Sequence, residues 1–173
     1  METHGTEVRA PAQYGEFYHH FYRSVVALAY GLSGSSWAAE DLAQEAFLRA
    51  YRDWASVSQM AAPGAWVKKV AVNLALSRFR RLRAEGMAVI RLSAAAPPVV
   101  PMSLAHDSFW MEVRRLPKRQ AQAIALRYID DLSIADIAVT LGVAQGTVKA
   151  LLHQGRAGIS RKLGAKGWFD DEI

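Results

Sequence analysis

The chain has 173 residues, 51% of them apolar, carries a net charge of +5 and contains no cysteine. That allows one domain or two small ones with a buried core, and argues against wholesale disorder. The missing cysteines exclude a disulfide framework, a thiolate zinc site and a cysteine nucleophile, and the basic excess suits nucleic acid better than an acidic partner.

Residues 1 to about 12 carry no periodicity and read as a loose polar leader without a signal-peptide core. A helix is expected from Tyr14 to Leu32, with Phe17, Phe21, Val25, Leu28 and Leu32 on one face. Val25 to Leu32 is the best apolar run in the chain and falls short of membrane length, so no membrane insertion is expected. His19 and His20 point about 100° apart on a helix and have no companion ligands, which leaves no metal site there. The segment Gly31 to Ser36 is rich in glycine and serine and breaks the helix.

The next helix is expected from Trp37 to Trp54. Ala43, Ala46, Phe47, Ala50, Tyr51 and Trp54 make its buried face, and Asp41, Gln44, Glu45, Leu48 and Arg52 point outward. Leu48 is the misfit there. It is either a single exposed leucine without meaning or the anchor of a protein interface framed by acids.

Ala55 to Pro63 reads as a loop, followed by a helix from Ala65 to Arg83 with two distinct sides. Val67, Val70, Ala71, Leu74 and Leu82 form the apolar one. Lys69, Asn73, Arg80 and Arg83 lie within about 80° of one another on the other, at 100° per residue. Trp66 borders that stripe, and Arg78 and Arg81 make the C-terminal end basic all round. Cations suit a helix C-terminus, but this many beside aromatics point to backbone neutralisation and base stacking. The pattern then fails. Ala94 to Pro101 contains three prolines and reads as part of an extended linker, whose roughly 20 residues could span about 65 Å.

Beyond it, Ser108 to Arg115 and Lys118 to Tyr128 read as two helices parted at Leu116-Pro117, covering the apolar side of a helix-turn-helix. In that motif Ser133 caps a helix, with Asp136 three residues on. Ile134, Ile137, Ala138 and Leu141 form its buried face, and Gly142 ends it without a Cβ penalty. Val143 pins the turn. A second helix starts near Ala144, with Val148, Leu152, Gly155, Ile159 and Leu163 inward and Gly146, Ala150, His153, Gln154 and Ala157 outward. Thr147 and Lys149 flank an outward face slim enough for a major groove. Asp170, Asp171 and Glu172 form an acidic tail.

Together these segments carry a family resemblance. The run Ala39-Glu40-Asp41-Leu42-Ala43-Gln44-Glu45-Ala46-Phe47-Leu48-Arg49-Ala50-Tyr51 resembles the polymerase-binding helix of bacterial sigma factors of the extracytoplasmic-function (ECF) group. Trp66 to Arg83, with Val72-Asn73-Leu74-Ala75 inside it, is similar to their minus-10-reading segment. Leu116 to Gln120, Leu126 to Tyr128 and the helix-turn-helix resemble their minus-35-reading domain. The resemblance implies that Asp41, Gln44, Glu45 and Leu48 dock on core RNA polymerase. It assigns Trp66, Lys69, Asn73, Arg78, Arg80 and Arg81 to the opened minus-10 strand, and Thr147, Lys149, Ala150, His153 and Arg156 to the minus-35 duplex. This chain departs from the family in having Ala144 at the cap of the recognition helix, and Leu151 and Gln154 where arginines are frequent.

The expected fold is all-α, with two small helical domains joined by a flexible Pro-rich linker, the second a helix-turn-helix. Residues 13–84 are sigma region 2, 85–105 the linker and 106–165 sigma region 4. The expected function is a cytoplasmic, non-enzymatic transcription initiation factor without cofactor or metal. Its partners are core polymerase and promoter DNA, with an anti-sigma factor as an optional further one. The alternative is a free-standing helix-turn-helix regulator using its N-terminal helices to dimerise. An enzyme is disfavoured, because no phosphate-binding glycine loop and no catalytically spaced His or carboxylate cluster occurs.

Overall fold

Each helix begins and ends where the chain offers it a reason to. In the computed structural model, which describes residues 9–85 and 107–164, the order is α1 Arg9–Ser33, α2 Ser36–Arg52, α3 Trp54–Val57, α4 Pro63–Ala84, α5 Asp107–Arg115, α6 Lys118–Tyr128, α7 Ile134–Leu141 and α8 Gln145–Leu163. Among the described residues there is no strand. The expected leader up to residue 8, the Pro-rich stretch and the acidic tail lie outside the described residues.

Helices α1, α2 and α4 pack on one another as the N-terminal unit. Ser35 opens α2, its hydroxyl accepting from the Ala38 N–H at 3.3 Å. Pro63 opens α4, where its missing N–H costs nothing. Gly64 lets α4 approach α1: a Cβ there would stand 2.3 Å from the Phe21 ring. Val25, Leu28 and Leu32 of α1 meet Ala43, Ala46 and Phe47 of α2 and Val67 and Ala71 of α4 in the core. Aromatic rings close its end. Tyr14 packs edge-on against Trp54, with centroids 5.3 Å apart, and donates its hydroxyl to the Phe47 carbonyl at 2.8 Å. Burial raises the Tyr14 phenol pKa, so the hydroxyl remains a donor.

Helices α5 to α8 form the second unit. Ser133 accepts from the Asp136 N–H at 3.1 Å, and its hydroxyl donates to the Asp136 carboxylate at 2.6 Å. Gly142 closes α7 with φ +66°. The Val143 N–H reaches the Ala138 carbonyl at 3.0 Å and the Gly142 N–H the Val139 carbonyl at 3.3 Å, the two bonds of a Schellman close. Arg119 donates to a further orphan carbonyl, that of Leu141, at 3.3 Å. Ala144 precedes α8 with no side-chain hydrogen bond to the new helix.

Four expectations are corrected. Helix α1 starts at Arg9 rather than Tyr14. Part of the loop expected after α2 winds into the short helix α3, with the Val57 side chain fully buried. Tyr51 is 57% exposed rather than buried, because it shares the outer stripe of α2 with Leu48. On α4, Val72, Ala75, Leu76 and Phe79 join Val67 and Ala71 in the core, whereas Val70, Leu74 and Leu82 are only half-buried. The cause is that α4 is covered twice. One side meets α1 and α2, and another meets α6 and α7 of the second unit.

These local features predict three stability changes, checked by urea melts followed by dichroism. Gly142→Ala should cost about 1 kcal/mol, since alanine at positive φ is strained. Gly15→Ala, mid-helix with nothing within 4 Å of the added methyl, should gain about 0.5–1 kcal/mol. Ala144→Ser should gain about 1 kcal/mol by supplying the absent cap.

Candidate polymerase and nucleic-acid surfaces

Helical spacing decides what α2 shows to solvent. Trp37, Asp41, Gln44, Leu48 and Tyr51 stand at i, i+4, i+7, i+11 and i+14, within about 80° at 100° per residue. All five are exposed, Trp37 at 68% and Leu48 at 43%. The result is an apolar line of Trp37, Leu48 and Tyr51 interrupted by Asp41 and Gln44. Glu45 is half-buried at its edge and pairs with Arg49 at 2.8 Å. Asp41 pairs with Arg78 of α4 at 3.4 Å. Both are surface ion pairs, worth well under about 1 kcal/mol each, so they leave the face free to exchange partners. The same spacing that places Leu48 outward also places Trp37 and Tyr51 there.

Helix α4 divides its expected strand-reading residues among three environments. Arg80 and Arg81 are exposed, Arg81 facing Glu85 at 3.9 Å. Arg78 turns toward α2, where its guanidinium lies 5.7 Å from the Trp37 ring beside Asp41. Trp66 and Lys69 are half-buried, with Trp66 packed against the core. The Asn73 amide oxygen accepts from Gln122 Nε2 of α6 at 2.5 Å. The six residues therefore do not form one free stripe. Arg80 and Arg81 alone among them stand fully in solvent.

Helix α8 places Thr147, Lys149, Ala150 and His153 together on its exposed side. Gly146, Gln154 and Ala157 are exposed there too, and Gln154 accepts from Gln120 at 3.2 Å. Arg156 sits lower, half-buried, with its guanidinium 5.6 Å from the Tyr128 ring. Behind Lys149 and His153 a concavity of about 640 Å³ runs to Arg127, Ser133 and Arg156. Its cations suit a phosphate backbone passing the mouth of the turn. Among the described residues no group of three or more side chains has the makings of a metal site. No single described helix is long and apolar enough to cross a membrane.

Comparison with known proteins agrees with this architecture. Residues 17–85 match the family Sigma-70 region 2, and residues 106–158 match the family Sigma-70, region 4. The chain is 30% identical to the ECF RNA polymerase sigma factor SigW of Bacillus subtilis, over 80% of this chain and 82% of that protein. It is 32% identical to the ECF RNA polymerase sigma factor SigM of Mycobacterium tuberculosis, over 87% of this chain and 77% of that protein. Among solved structures, the sigma factor RpoE of Bartonella quintana, in complex with the anti-sigma factor NepR, superposes with a TM-score of 0.64 at 25% identity. That superposition covers 89% of this chain and 98% of the other. Two sigma modules in this order leave the free-standing regulator without support, and the chain belongs to the ECF group of RNA polymerase sigma factors.

Proposed function

We propose that this sigma factor divides its work among three helices: α2 docks on core polymerase, α4 holds the opened minus-10 strand, and α8 reads the minus-35 duplex. The observation that carries this reading is the segregation of surface chemistry. An apolar stripe with acidic neighbours runs along α2, exposed cations end α4, and a slim polar face lies on α8.

Residues 13–84 act as region 2, 85–105 as linker and 106–165 as region 4. On α2, Asp41, Gln44, Glu45 and Leu48 contact the polymerase, with Trp37 and Tyr51 extending the apolar part. Leu48 is thus an interface anchor inside a charged rim, the arrangement in which truncating one side chain costs most. On α4, Arg80 and Arg81 neutralise phosphates of the single strand, and Trp66, Lys69, Asn73 and Arg78 complete that surface. On α8, Thr147, Lys149, Ala150 and His153 face the duplex and Arg156 supports them from the concavity. The protein works in the cytoplasm with no catalytic chemistry, cofactor or metal of its own. An anti-sigma factor is a further partner class to test, because the Bartonella quintana relative is seen with one.

Two experiments test the division. Asp41→Lys together with Glu45→Lys should abolish co-purification with core polymerase. It should leave helicity and melting temperature nearly unchanged, since both acids hold only surface pairs. Unaltered polymerase binding by a folded double variant would move the interface elsewhere.

The second uses permanganate footprinting beside a duplex-binding assay, both with core polymerase present. Arg80→Ala with Arg81→Ala should weaken promoter opening more than duplex association. It should also flatten the salt dependence by about 0.7 log units per lost phosphate contact. Lys149→Ala with His153→Ala should weaken duplex recruitment and relax the choice among minus-35 sequences. Normal opening by the arginine variant would refute the assignment of α4.

A further inference from the structure

One side chain on the duplex-facing side of α8 is held by another helix. Gln154 is exposed, and its amide oxygen accepts from Gln120 Nε2 of α6 at 3.2 Å. At 100° per residue Gln154 projects between Thr147 and Ala150, about 20° from the first and 40° from the second. From Thr147 to Ala157 that arc otherwise carries only Thr147, Ala150 and Ala157, all short. A glutamine standing among small side chains reaches furthest toward a base edge there.

Gln120 is placed to donate rather than to accept. It is the third residue of α6, where a glutamine commonly folds back onto the N–H of the capping residue. Here the capping residue is Pro117, which has no N–H, so the side chain is released from that duty. The first-turn N–H groups of α6 and the flanking Lys118 and Arg119 attract the amide oxygen. That leaves the amide nitrogen for α8.

The bond decides which half of the Gln154 amide meets DNA. With its oxygen turned toward Gln120, the residue shows its NH2 group to the groove. A glutamine free to turn pairs through both halves with adenine, at N6 and N7. A held amide offers donors only, which suit O6 and N7 of guanine or O4 of thymine. They oppose the amino groups at adenine N6 and cytosine N4. In water a bond between two surface amides is weak, but a docked duplex excludes water and strengthens it.

We propose that Gln154 is a further specificity-determining residue of α8, and that Gln120 is its positioning residue, making it a donor-only reader of keto bases in the minus-35 duplex. The inference rests on the assignment of α8 to that duplex.

The test presents a duplex pool with a randomised minus-35 region to the full chain bound to core polymerase, and sequences what is retained. Gln154→Ala should flatten the preference at one base pair by about fivefold, the worth of one hydrogen bond, and leave the other positions in place. Gln120→Glu supplies an acceptor only, so the Gln154 amide turns over and the preference at that base pair should reverse, amino for keto. Gln120→Lys supplies donors only and should keep the original preference. Gln120→Leu supplies neither and should flatten it. Gln120→Lys and Gln120→Glu shift overall affinity in opposite directions through charge, but a ratio among sequences does not follow that shift. Dichroism confirms that each variant folds.

Unchanged minus-35 preferences in Gln154→Ala would overturn its reading role. A preference kept by Gln120→Glu or Gln120→Leu, or reversed by Gln120→Lys, would overturn the positioning by Gln120. If Lys149→Ala with His153→Ala relaxes the minus-35 choice and Gln154→Ala does not, this inference alone falls. If neither has an effect, the assignment of α8 falls with it.

Discussion

Helix α4 has to bury itself on two sides at once, and most of the molecule follows from that constraint. A helix covered on one side needs a single apolar stripe and keeps a polar face for solvent. Here Val67 and Ala71 share a core with α1 and α2, while α6 and α7 cover a second side. The buried arc is correspondingly wide, running through Ala75, Phe79, Val72 and Leu76. Little of its circumference is left for solvent, and its fully exposed arginines, Arg80, Arg81 and Arg83, lie at its C-terminal end. The Lys68–Asp130 pair adds little net stability, because desolvating both charges offsets their attraction. Stranding either charge would cost about 3–5 kcal/mol, so removing one partner is far more damaging than the net worth of the pair suggests.

The surfaces left over are separated by the same geometry. The stripe of α2 lies on the side away from its core face, where Trp37 and Tyr51 extend the apolar line that Leu48 begins. Its charged neighbours are held in exposed pairs with Arg49 and Arg78. Such pairs are easily exchanged for a partner's charges, and they keep an apolar stripe soluble meanwhile. Arg78 ties this face to α4, so a partner that captures Asp41 also frees an arginine of that helix.

The helix-turn-helix is built differently, from bonds made almost within one turn of chain. The Ser133–Asp136 cap, the Schellman close at Gly142 and the packing of Val143 fix its corner. Ala144 leaves α8 uncapped, so its first turn is held by the packing of Val148 rather than by a side-chain bond.

How much of this was legible from the sequence follows from the range of each interaction. The helices α1, α2 and α4 to α8, the glycine close of α7, the bare cap of α8 and the outward set Thr147 to His153 are written in residues at most a few turns apart. Periodicity and turn chemistry therefore carry them, and the sigma resemblance follows from the order of those segments. The spacing of Leu48 also contained Trp37 and Tyr51. Tyr51 follows that spacing outward, although an aromatic next to a buried stripe looks buried when only hydrophobicity is weighed. Other features were decided by the tertiary structure alone. Lys68 resembles any half-exposed lysine until Asp130 arrives from 62 positions along the chain. Asn73 has no local hint that Gln122 will take its oxygen. Val72 and Leu76 sit on a side of α4 that one-sided periodicity assigns to solvent. Their burial depends on a second unit whose docking no local pattern encodes.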